Sequence, residues 1–128
     1  MKITAVFAPN SSGNPTGKLA DGELRFEDAG PLSGLKLIGF AIWERRTGSG
    51  RNVTFPARSY SVNGERRSFA LLRPINDVTT HERLRESILN AFEYVEDMAA
   101  LKDGDGSGDS NECVIWDSTD TVEALRRP

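Results

Sequence analysis

A chain of 128 residues, 38% apolar and 27% charged, is long enough to bury one hydrophobic core without disulfide staples. Its formal charge of −3 excludes neither sign of partner, because the mean hides an asymmetry. Residues 1–102 carry 14 basic and 12 acidic side chains, whereas residues 103–128 carry two and seven. The chain therefore reads as a mildly basic domain over residues 1–102 followed by an acidic, partly flexible tail over residues 103–128. Cys113 stands alone, so no internal disulfide framework exists and a reducing compartment fits. No apolar run reaches the roughly 20 residues that span a bilayer, and the first ten residues lack the features of a signal peptide. A cytoplasmic location and no membrane contact are the expectation, and the two Asn-x-Ser/Thr triplets at Asn10 and Asn52 read as chance.

In chain order, residues 2–7 alternate as a first strand, and the stretch to Gly17, rich in Ser, Asn, Gly and Pro, is a hairpin connection. Residues 18–28 make a second strand with Leu24 and Phe26 inward, broken at Asp28-Ala29-Gly30-Pro31. Residues 35–75 are the stretch around which the rest is organised, read as three strands with two turns. The first of these, residues 35–43, is apolar at nearly every position except Lys36. Strict alternation places Leu35, Leu37, Ala41 and Trp43 on one face and Ile38, Phe40 and Ile42 on the other. A strand apolar on both faces belongs mid-sheet, covered on each side. Thr47-Gly48-Ser49-Gly50 turns the chain back; it lacks the third glycine and the following helix of a phosphate loop, so it reads as a plain turn. Strands over residues 52–60 and 66–75 are joined through Val62-Asn63-Gly64-Glu65. Asn-Gly between strand-like runs predicts a type I′ hairpin, whose central residues both need positive φ.

After residue 75 the hydrophobic period changes from 2 to 3.6. Leu84, Ile88, Ala91, Phe92, Val95 and Met98 make one apolar stripe of a helix over residues 80–101, about 33 Å long at 1.5 Å per residue. Thr79 is expected to cap its amides, with Glu82 reaching back in a capping box. Its outer face, carrying Glu86, Glu93, Glu96 and Asp97, is acidic. Residues 102–112 are too polar to bury anything. Within the tail, Val114-Ile115-Trp116 is an apolar island that docks on the body or serves a protein partner.

The chemistry on offer is sparse. His81, the single histidine, falls in the first turn of the helix and reads as an exposed surface residue, and Cys113 has no activating neighbour in the sequence. Asp103-Gly104-Asp105-Gly106-Ser107-Gly108 matches the first half of a calcium loop, but the twelfth position is Val114 rather than the bidentate Glu, so a solvated linker is the reading. No catalytic constellation, metal or cofactor is expected. What stands out is charge: residues 36–75 hold eight basic side chains against two acidic, a net +6. Arg51, Arg58, Arg66, Arg67 and Arg73 lie among Tyr60, Phe55 and Phe69. Guanidinium forks pair with phosphate, and interleaved aromatic rings stack on bases. The plain alternative is a solvated strand whose charge prevents unwanted pairing.

At this hairpin the chain resembles the SpoVG family, small bacterial regulators of sporulation and septation. The likeness runs over residues 1–98: Met1-Lys2-Ile3-Thr4, Gly17-Lys18-Leu19, Leu35-Lys36-Leu37-Ile38, the segment GRNVTFPAR from Gly50 to Arg58, the Asn63-Gly64-Glu65 turn and Pro74-Ile75 before the helix. The resemblance implies an α+β fold, a twisted antiparallel sheet of about five strands followed by one long C-terminal helix. It also implies a homodimer formed partly by strand pairing, and non-enzymatic binding to DNA, in some members RNA, through basic residues just after the proline. Carried onto this chain, that role falls on Arg58. Ser59 stands at the family's second basic place, Arg51 and Asn52 replace an apolar pair, and the stretch from Glu65 to Pro74 is two residues longer. From the residues themselves, Arg66 and Arg67 restore the lost charge. The expected nucleic-acid-binding set is thus Arg58, Arg66 and Arg67, with Arg51, Arg73 and Tyr60 beside them. The competing expectation is a protein-interaction module using a sheet edge or the acidic tail.

Overall fold

The computed structural model describes residues 1–45, 50–101 and 111–118. The elements are β1 (Lys2–Pro9), β2 (Lys18–Glu27), β3 (Lys36–Glu44), β4 (Arg51–Thr54), β5 (Ala57–Val62), β6 (Glu65–Ala70), α1 (Thr79–Leu101) and β7 (Glu112–Asp117). Five strands form one antiparallel sheet in the order β4-β3-β2-β1-β7, and β5 and β6 form a separate two-stranded ribbon. The fold is α+β: a curled sheet with one helix packed across it.

The helix presents the stripe its period dictates. Ile88, Ala91, Phe92 and Val95 are buried against Ala5, Phe7, Ala20, Leu24, Phe40, Ile42 and Val53 of the sheet. Phe7 and Phe92 meet edge to face, with ring centroids 5.2 Å apart. The helix start differs from the expected capping box. Asp77 is the cap: its Oδ1 accepts hydrogen bonds from the Thr79 amide (3.0 Å) and the Thr79 hydroxyl (2.7 Å). Glu82 turns instead to Arg85. Asp at a helix start satisfies an orphan amide and complements the dipole, so it takes the capping role two residues ahead of Thr79.

Strand β3 corrects two expectations. It lies second from the sheet edge, with β2 in the middle, and among the described elements the helix packs on one side of the sheet. Its alternation is also interrupted. Gly22 pairs with Phe40 and Glu23 with Ile38, leaving Gly39 as an extra residue at φ 106°. This β-bulge shifts the parity of the strand, so Leu37 joins Phe40 and Ile42 on the core side. Ile38 is left 63% exposed on the opposite side. Among the described residues, that side carries ion pairs rather than a second layer. Lys2–Glu27 (3.7 Å), Arg25–Glu23 (2.7 Å), Lys36–Glu23 (3.4 Å), Arg25–Glu112 (3.7 Å) and Lys18–Asp21 (2.6 Å) lace it together.

The expected strand over residues 52–60 is two strands. Pro56 supplies no amide for a ladder, so β4 ends at Thr54, and β5 begins a new ribbon. Strand β6 ends at Ala70, short of the expected residue 75, and residues 71–78 are irregular. The island in the tail is β7, paired antiparallel to β1 at the sheet edge, with Cys113 and Ile115 packed on the core. The sheet therefore takes in residues 112–117, beyond the expected boundary at residue 102. Residues 47–49 of the expected turn over residues 47–50, the half calcium loop over residues 103–108 and the last ten residues of the tail lie outside the described residues.

Candidate nucleic-acid interface

The β5–β6 ribbon is held by its turn. Asn63 (φ 52°) and Gly64 (φ 81°) both take left-handed backbone, and Val62 pairs with Glu65, as a two-residue type I′ loop requires. This register decides which side chains share a face. Arg58 pairs with Phe69, Tyr60 with Arg67, and Val62 with Glu65; these six occupy one face. Ala57 with Ala70, Ser59 with Ser68, and Ser61 with Arg66 occupy the other. Every residue of the ribbon except the half-buried Ala70 is exposed.

The expected arginines are therefore sorted into three settings. Arg58 and Arg67 are co-facial, with Tyr60 beside Arg67. Arg73, beyond the end of β6, folds back so that its guanidinium lies 4.1 Å from the centroid of the Phe69 ring. This brings Arg73 to the same face. Arg67 lies 3.2 Å from Glu65, an exposed pair of little energetic weight. Arg66 points from the opposite face, among serines and alanines. Arg51 is engaged elsewhere, since it forms a fork-to-fork pair with Glu96 of α1 and lies 5.2 Å over the Phe92 ring. Glu96, expected on the acidic outer face of the helix, is thereby turned toward β4. Among the described residues, neither Arg58 nor Arg66 has an ion-pair partner.

The root of the ribbon is clamped by α1. Phe55, between β4 and β5, stacks edge to face on Phe40 (5.5 Å), and its other neighbours are the His81 ring (4.8 Å) and the Arg85 guanidinium (5.4 Å). His81 Nε2 donates to the Leu72 carbonyl at 2.6 Å, just after β6. His81 is thus half-buried, not the exposed surface residue expected, and it ties both strands of the ribbon to the first turn of the helix. The Leu71 amide donates to the Pro56 carbonyl at 3.0 Å and closes the root.

The parity that separates Arg66 from Arg58 was available from the Asn-Gly turn, whose loop length fixes the register. The folding back of Arg73 onto Phe69 carries no such signal. Among the described residues, no group of three His, Cys, Asp or Glu side chains is placed to hold a metal ion. No helix among them is long and apolar enough to cross a membrane. Burial raises the Cys113 thiol above its ordinary pKa, the opposite of activation.

Compared with known proteins, the chain matches no family model, no curated protein and no solved structure.

Proposed function

We propose that this chain is a non-enzymatic, cytoplasmic regulatory protein that binds DNA or RNA as a homodimer through the arginine-bearing face of the β5–β6 ribbon. The observation that carries the reading is the gathering of Arg58, Arg67 and Arg73 on one side of a two-stranded support, with Tyr60 and Phe69 between them. Three guanidinium groups face one negative side chain, Glu65, and the acid-rich surface of α1 belongs to another part of the molecule. The SpoVG-like segments supply the same expectation by resemblance, with Arg58 at the position they share. A homodimer doubles the patch, and β4 and β7, the outer strands of the sheet among the described residues, and the ribbon offer ways to build one.

Phosphate-led binding weakens as salt rises, because each neutralised phosphate releases counterions. Anisotropy titration of labelled random oligonucleotides at 50 and 200 mM salt (both set on the scale over which six to ten contacts cost about 10³-fold or more) tests the reading. Arg58→Gln, Arg67→Gln and Arg73→Gln each lower the log–log salt slope by roughly 0.7–0.9. Arg66→Gln, on the other face, leaves it unchanged. Salt-independent binding, or equal effects from all four variants, contradicts the reading.

A second reading has one specific observation in its favour. Strand β7 is a sheet edge with Val114 and Trp116 exposed along it, the form in which proteins accept a partner strand. Trp116→Lys disrupts such an assembly in sedimentation velocity and leaves oligonucleotide binding intact. The reverse pattern assigns the interaction to the ribbon.

A further inference from the structure

Resting on the nucleic-acid reading, we infer that the ribbon's arginine face takes a single-stranded segment, with two adjacent bases stacked on Tyr60 and on the Arg73–Phe69 pair. The two platforms differ in construction. Tyr60 is 41% exposed and, among the described residues, its ring contacts no other ring or guanidinium. Phe69 is 42% exposed and carries the Arg73 guanidinium over its ring, 4.1 Å from the centroid, so this platform pairs an aromatic plane with a planar cation. A base stacks on either kind of plane.

Spacing decides between single strand and duplex. Tyr60 pairs with Arg67 and Phe69 with Arg58, so the two rings are diagonal neighbours on the ribbon. Diagonal residues in such a pair lie about 7–8 Å apart. Bases within one strand of a duplex lie about 3.4 Å apart along the axis. Two bases that reach platforms twice that distance apart must have separated from each other, which a single strand does at little cost and a duplex does not. A two-stranded ribbon also fits a major groove, where arginines reach base edges, but there the stacked base pairs keep their faces from both rings.

The charges fit the same geometry. Arg58 and Arg67 occupy the other diagonal of the checkerboard, each beside one aromatic platform, where phosphates flanking the stacked bases would lie. Glu65 sits toward the turn on this face and repels phosphate there, so the strand is held at the root half of the ribbon. The opposite face, made of alanines, serines and Arg66, offers no plane to stack on.

The test uses the full chain and four fluorescein-labelled 12-nucleotide probes: oligo-dT, oligo-rU, a random-sequence duplex, and a strand of abasic sites with the same phosphates. The expected result is single-strand binding at least roughly tenfold tighter than duplex, with a similar loss on the abasic strand. Tyr60→Leu weakens oligo-dT binding by roughly tenfold while Tyr60→Phe retains it, and Tyr60→Leu lowers duplex affinity less than oligo-dT affinity. Circular dichroism melting of each variant confirms that the fold persists. Duplex binding as tight as single-strand binding, or abasic binding as tight as oligo-dT, overturns this inference and leaves the phosphate-led reading standing. Failure to bind any of the four overturns both.

Discussion

Arg51 of β4 and Glu96 of α1 are joined by two parallel hydrogen bonds, Nη1 to Oε1 and Nη2 to Oε2, the second 2.9 Å long. The same guanidinium lies over Phe92, which is buried in the core. The pair fastens the short edge strand β4 to the helix that covers the sheet, and it assigns Arg51 to the scaffold. It also explains how a helix with a largely acidic exterior lies beside a basic stretch of chain: one carboxylate is turned inward to meet one arginine.

Arg51→Gln therefore lowers stability and leaves anion binding alone. Both side chains are more than a third exposed, so the ion pair and the ring contact together are worth about 1 kcal/mol. Urea unfolding of Arg51→Gln, Glu96→Gln and the double variant gives the coupling directly. A coupling indistinguishable from zero refutes the fastening role, and a lowered salt slope for oligonucleotide binding returns Arg51 to the interface.

Strand β7 makes a second prediction. Ile115 faces the core, while Val114 faces outward beside Thr4. Ile115→Ala costs roughly 1–2 kcal/mol, less than a fully buried isoleucine because the site is half-open, and Val114→Ala costs little. Equal effects would mean that β7 does not hold this register. The strand also dictates how the acidic tail is to be tested. Removing everything after residue 102 strips a strand from the sheet, so a change in binding would be confounded with unfolding. A chain ending at residue 118 keeps β7 and removes only the final stretch.

The features legible in the sequence were those set by local rules. The Asn63-Gly64 turn, the helical stripe from Leu84 to Val95 and the alternation in β1 and β2 each follow from backbone preference or burial period. The features that escaped are set by partners distant in sequence. Nothing near Gly39 distinguishes a bulge from a plain strand until Gly22 and Glu23 are aligned against it. Glu96 reads as one more exterior carboxylate until Arg51 is brought to it from 45 residues away. Val114-Ile115-Trp116 is too short and too isolated by polar sequence to reveal a strand, because its pairing partner is at the opposite end of the chain. In the candidate interface, the residue types were legible; the division of Arg66 from Arg58 was available from the turn, although the expected set kept the two together. The pairing of Arg51 with Glu96 and the recruitment of Arg73 were not legible.

Gly39 tests the bulge itself. Its φ of 106° is a conformation that L side chains rarely adopt, and a Cβ built there lies 3.2 Å from Cβ of Pro56. Both the backbone strain and the crowding act against a substitution, and Pro56 is held at the junction where the ribbon leaves the sheet. Gly39→Ala destabilises by roughly 2 kcal/mol. If urea midpoints of the variant and the parent coincide, the bulge is not at Gly39. Removal of the bulge would also reverse the facing of Leu37 relative to Phe40, so a variant that folds stably should lose protection at β2–β3 amides in hydrogen exchange.

The Asp77 cap gives a pH dependence whose sign is fixed. Hydrogen bonds from the Thr79 hydroxyl and then the Thr79 amide hold its carboxyl below the ordinary range, with a smaller contribution from Arg83. Glu23 is lowered too, first by the Arg25 hydrogen bond and also by Lys36, with burial opposing. A carboxylate favoured by the folded state contributes fully above its unfolded pKa, and the contribution is lost as pH falls through the lower folded value. Stability should therefore decline on the acid side of the ordinary carboxylate range. Asp77→Asn keeps a side-chain oxygen to accept from the Thr79 amide but takes up no proton, so its stability falls less steeply with acid. Urea unfolding between pH 7 and pH 3 (a span chosen to bracket the ordinary Asp and Glu values) compares the two. Parallel curves would mean that Asp77 is not the titrating cap, and a steeper decline in the variant would reverse the sign.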